Sequence, residues 1–164
     1  VYYSGENITK IAAGRPLFVR IPESAFTLPN FMRMHLYSPF GVMKIGMKIL
    51  EADAVTIERI VGHGGIFNTP EVTPRIHAAA REAPVTVMET AGEGGAWGIA
   101  ILAEYLRRES KNQTLDEFLN EIIFRGDTGT TLAPLPADIE GFDTFVVRYQ
   151  AGLPIEQAAI DYLK

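Results

Sequence analysis

The apolar positions along this chain follow two rhythms. Over residues 28–50 they recur near helical spacing, with Phe31, His35, Met43, Met47 and Leu50 in the pattern. Pro29 fits the first turn of such a helix. Pro39 lies inside it and is expected to kink or split it near Ser38, because proline lacks an N–H and crowds the preceding turn. Before this helix the pattern is mixed, and only residues 17–21 read as strand. After it, short apolar runs alternate with helical patterns: strand at 57–61, helix at 69–81, strand at 85–88, helix at 93–109. That alternation predicts parallel pairing through right-handed crossovers, and so an α/β fold. In "TLDEFLNEIIF", Thr114 and Glu117 have capping-box spacing. "RGDTGTTLAPLP" reads as a loop. Helices at 138–149 and 154–163 follow, with Gly152 and Pro154 as the stop and restart between them.

Composition narrows the function classes. The 164 residues are 47% apolar and 21% charged, as in an ordinary globular domain. A net charge of −5 without a Lys/Arg stripe argues against nucleic acid as a main partner. The chain has no cysteine, which rules out disulfides and cysteine-based metal sites and suits a reducing cytoplasm. No apolar run is long enough to span a membrane. His35 and His77 have no carboxylate spaced for zinc, and no nucleophile elbow pairs a Ser with a His. No metal site is expected from these residues.

Two glycine turns carry the candidate chemistry. The first is "VGHGGIFNTP", where a strand meets Gly62, Gly64 and Gly65. Gly64 and Gly65 offer bare backbone that a flat base or ribose can approach closely. Asn68 or Thr69 would cap the next helix and reach the ligand's edge. His63 sits within the turn, placed to stack on or hydrogen-bond to a nucleotide. The second is "TAGEGGAWGIA", which puts Gly92, Gly94, Gly95 and Gly98 at a helix start, with Glu93 complementing the helix dipole. Each helical Gly costs about 1 kcal/mol relative to Ala, which is tolerated where something must come close. A dinucleotide (NAD) site is the competing reading: Gly62 and Gly64 match the first two fingerprint glycines and Glu89 could hold a ribose. Phe67 stands where the third glycine belongs and opposes it.

Taken together, "GHGGIFNTP", "APVTVMET" and "EGGAWGIAILA" resemble the carboxy-terminal domain of the FGGY carbohydrate kinases. "GRPLFVR" and "FVVRYQAGLPIEQAAI" are similar to segments of xylulokinase-like members. His63 stands where many members carry a third glycine. The resemblance implies a ribonuclease-H-like domain of the actin and hexokinase ATPase superfamily, here incomplete. It implies that 1–164 is a single domain, the later part of a nucleotide-binding domain whose sugar-binding partner domain and catalytic aspartate lie outside this chain. It also implies ATP with Mg²⁺ as ligands of the full cytoplasmic enzyme and a pentulose such as xylulose as acceptor. Gly64, Gly65, Asn68 and Thr69 would line the nucleotide, with His63, Gly92 and Glu93 supporting them. The isolated chain is expected to be inactive, and a homodimer is compatible with the reading. The alternatives are the NAD-binding domain and a kinase-like interaction domain without catalysis. "GDTGTT" at 126–131 resembles a phosphate loop of the same superfamily, but it leads into "LAPLP" rather than following an apolar strand. It is expected to be a surface loop, with Asp127 not the base.

Overall fold

The structure, a computed structural model, describes all residues except 12, 59, 90, 109, 127, 128 and 164, together with the side chain of 51. Two short strands, β1 (Tyr2–Tyr3) and β2 (Leu17–Phe18), pair antiparallel at the start. The strand expected at 17–21 is therefore cut to its first two residues. The long helix α1 (Leu28–Ala52) follows, then β3 (Ile60–Gly62), α2 (Val72–Arg81), β4 (Val85–Val87) and α3 (Gly94–Arg107). The short α4 (Leu115–Phe118) continues as a wider π-helical segment, Leu119–Ile123. β5 (Thr130–Leu132), α5 (Pro136–Ala151) and α6 (Leu153–Tyr162) complete the order.

The sheet order is β3-β4-β5. β3 and β4 run parallel, with Ile60 opposite Val85, as the alternating pattern predicts. β5 runs antiparallel to β4, with Thr86 opposite Thr131 and their hydroxyls 2.9 Å apart. The stretch expected to be a loop thus contributes an edge strand, a correction to the sequence reading. Asp127 and Thr128 of that stretch lie outside the described residues.

Pro39 does not split α1, which runs unbroken past it. Packing explains why. Phe40 and Val42 are buried beside it, and each buried side chain of that size contributes roughly 1.5–3 kcal/mol. The interior proline costs about 3 kcal/mol, so the apolar face outweighs the lost hydrogen bond. The main core joins α1, α2 and α5 through Phe40, Ala79, Ala80, Phe142 and Val146. The small alanines of α2 let three helices approach closely. A second cluster, Tyr3, Val42 and Tyr149, ties the amino-terminal hairpin to α1 and α5. The capping box appears as expected: Thr114 Oγ1 accepts from the Glu117 N–H, and the Glu117 carboxylate accepts from the Thr114 N–H at 2.8 Å.

The accessible surface is 10842 Å². A folded monomer of this mass exposes about 8,100 Å² by the usual scaling. Large apolar side chains are among the exposed groups: on α3, Ile99 and Leu106 are 72% and 73% exposed, and Leu102, between them on the same face, is exposed too. No described helix is long and apolar enough to cross a membrane.

Candidate functional site

Both glycine turns lie at the carboxyl ends of parallel strands, and one backbone bond joins them. The Gly64 N–H donates to the Ala91 carbonyl at 2.7 Å. Gly64 has φ +103° and ψ 165°, a region open essentially only to glycine. Its carbonyl accepts from the Phe67 N–H at 2.9 Å and starts a 3-10 turn, Gly65–Asn68. The buried Thr73 hydroxyl donates to the Ile66 carbonyl at 2.7 Å and pins that turn to the start of α2.

Neither Asn68 nor Thr69 caps α2, which corrects the sequence reading. The residue before the helix is Glu71, at φ +64° and without a side-chain cap bond, and α2 starts at Val72 rather than 69. Asn68 is committed elsewhere, its amide lying against Gly92. Thr69 is exposed, with extended backbone.

The glycines divide into closed and open positions. A Cβ on Gly62 would run into the Phe67 ring, one on Gly92 would meet the Asn68 amide, and one on Gly94 would come within 2.9 Å of the His63 Cβ. These three glycines make room for the chain's own side chains. The space over Gly92 is therefore filled by the Asn68 amide. Gly64, Gly65, Gly95 and Gly98 have nothing within 4 Å of a built Cβ. They leave bare backbone at the first turn and on the first turns of α3. The sequence reading named Gly64 and Gly65 but not Gly95 and Gly98 as the open pair of the second turn. Their spacing of three on the first turns of α3 was the available signal. Glu93 is exposed in the position just before α3 and forms no cap bond.

Charge limits what this surface can hold. No Lys or Arg occurs at 60–74 or 82–106, so neither turn carries a side-chain cation for a triphosphate. Among the described residues no group of three or more acidic, His or Cys side chains could hold a metal. Bare backbone flanked by the polar His63 and Thr69 offers hydrogen-bonding groups without a side-chain cation. A cleft of about 270 Å³ lies beyond Phe67, with Glu71, Met88, Glu89 and Thr130 on its walls. Its charged lining residues are both carboxylates, which disfavours an anion there. Phe67 also decides against the dinucleotide arrangement: its ring fills the space over Gly62, and a 3-10 turn separates the glycines from α2. His77 stands beneath this layer, its ring 4.8 Å from Phe40 and 6.1 Å from Phe67. Burial, with Arg81 adding repulsion, pushes its pKa down to about 4, so it is neutral.

Comparison with known families decides the lineage. The family model described as "FGGY family of carbohydrate kinases, C-terminal domain" matches residues 1–106. The chain belongs to the FGGY family. Neither the curated proteins nor the solved structures compared with it gave a match. The match takes in the amino-terminal hairpin, both glycine turns and nearly all of α3, while β5, α5 and α6 lie beyond it. Family membership carries the actin/hexokinase ATPase-like fold and marks the chain as part of a sugar kinase. FGGY kinases generally use ATP with Mg²⁺.

Proposed function

We propose that this chain supplies the adenosine-binding wall of an ATP-dependent kinase of the xylulokinase-like branch, acting on a pentulose. The observation that carries the reading is the open glycine surface: Gly64 and Gly65, with Gly95 and Gly98, form the wall. The Gly64–Ala91 bond holds the two turns together. His63 and Thr69 flank the wall, Asn68 and Gly92 brace it, and Glu93 lies exposed at its edge. With no Lys or Arg on either turn, the phosphates and Mg²⁺ rest on groups outside these turns. Catalysis of this kind is mostly positioning and charge stabilisation, so a wall that fixes the nucleoside contributes directly.

In this reading residues 1–164 are the later part of a ribonuclease-H-like nucleotide-binding domain. The preceding part of the same domain covers the Ile99, Leu102 and Leu106 face of α3, and the sugar-binding domain supplies the acceptor site. The chain alone transfers no phosphoryl group, and sugar-dependent ADP release from it would refute that statement. The test of substrate uses the longest natural reading frame containing this chain. ADP formation is followed across pentuloses, hexuloses and glycerol. Turnover with a pentulose supports the reading. Turnover only with glycerol or a hexulose overturns the pentulose assignment and keeps the kinase. ATP binding without turnover on any sugar favours the interaction-domain alternative.

A further inference from the structure

Glu156, in the first turn of α6, is the most unusual charged group in the fold. It is 0% exposed. Neither carboxylate oxygen has a partner at hydrogen-bond geometry, although the Gly5 N–H lies close enough to favour the charged form. No described Lys, Arg or His forms an ion pair with it. Its place in the fold is specific. The amino-terminal loop of residues 5–14 folds back on itself, with the Ile11 N–H donating to the Glu6 carbonyl at 3.2 Å. Gly5 and Gly14 touch backbone to backbone where the loop closes. Oε1 of Glu156 occupies the space where a Gly14 side chain would lie. Gly14 thus makes room for a carboxyl group from the other end of the chain, while Gly5 makes room for the Gly14 backbone. Around it stand the Tyr3 and Tyr149 hydroxyls and the Glu6 carboxylate, with no cation among the described residues to offset them. The Tyr3 hydroxyl is engaged, donating to the Tyr149 carbonyl at 3.0 Å.

A buried carboxylate without a cation or a full set of donors is strongly disfavoured, whereas the neutral acid is tolerated. We propose that Glu156 is a protonation latch: neutral, it lets α6 close on the loop of residues 5–14, and on losing its proton to solvent it loosens that contact. Burial raises its pKa, the Gly5 N–H partly opposes this, and Glu6 adds to the rise. The closed state therefore holds the proton over a range where the open state has lost it. Closure is strongest in acid and weakens as pH rises above the ordinary carboxylate range. The latch joins a segment inside the family match to a helix outside it.

The test is an NMR titration of the chain from about pH 4 to about pH 8, reading the Glu156 side-chain carboxyl carbon and the Gly5 and Gly14 amides. The carboxyl carbon is expected to titrate above the ordinary glutamate range. The Gly5 and Gly14 signals should move with the same midpoint. Opening should become about tenfold more populated for each unit by which the closed-state pKa exceeds the open-state value. Glu156→Gln, which stays neutral, should hold the amides in the closed position across the range. Glu6→Gln should lower the midpoint and leave the transition in place. A Glu156 midpoint in the ordinary glutamate range would overturn the latch, and that reading needs only the unmutated chain. So would a loop transition that survives unchanged in Glu156→Gln.

Discussion

Gly62, Gly92 and Gly94 stand within a few residues of Gly64, Gly65, Gly95 and Gly98, yet the two sets do opposite things. The first set is filled from within: Phe67, Asn68 and His63 occupy the space a side chain would need. The second set faces emptiness. One layer of glycines lets the turns pack on each other, and the other leaves bare backbone facing open space. Backbone freedom is decisive only at Gly64, where φ is +103°. Elsewhere the absence of a Cβ is what matters.

The sharpest way to break this comparison is to fill a closed position. Gly62→Val forces the half-buried Phe67 ring off the buried Gly62 backbone and should cost about 3 kcal/mol, at the upper end of ordinary overpacking. Denaturant unfolding would show it. An unchanged midpoint would mean the ring moves aside freely and that the layer is not close-packed.

Acid probes the same layer more gently, through His77. Its pKa in the folded chain is pushed down to about 4 from an ordinary 6.5. The unfolded chain therefore binds more protons between those values, so stability is full above about pH 6.5 and falls as pH drops toward 4. The full shift corresponds to about 3.4 kcal/mol, and solvent screening of the partly exposed ring reduces the expected loss to about 2 kcal/mol. His77→Gln should flatten that part of the stability profile. An equally steep profile in the variant would assign the acid sensitivity to other groups.

An open position in a helix should respond with the opposite sign. Gly98→Ala meets no neighbour and adds helix propensity, so it should stabilise the chain by about 1 kcal/mol. Destabilisation by thermal unfolding would show that something already lies against Gly98.

Local signals were legible in the sequence. The capping box of Thr114 and Glu117, the α5–α6 break at Gly152 and the parallel pairing of β3 with β4 all depend on residues close together or on a repeated pattern. Contacts between distant segments were not. Whether Gly92 or Gly95 faces open space depends on where Asn68 points, and nothing near either glycine announces that. Asn68 and Thr69 looked like caps because their residue types favour that role, but Pro70 and Glu71 intervene and the helix starts later. Gly and Pro around "TTL" signalled a loop, and only pairing with β4 makes that triplet a strand. Pro39 obeyed its local rule weakly because α1 is held by its buried face along the whole helix.

The account rests on the open glycines being the surface that meets adenosine. Gly65→Ala tests this most directly, because the added methyl enters empty space and should leave stability within about 0.5 kcal/mol of the parent. The measurement is calorimetric binding of Mg·ATP to the longest natural reading frame, parent against variant. A nucleoside seated on Gly65 predicts an affinity about tenfold weaker, with thermal unfolding unchanged in the absence of ATP. Equal affinity in a well-folded variant would place the nucleotide elsewhere and contradict the central claim.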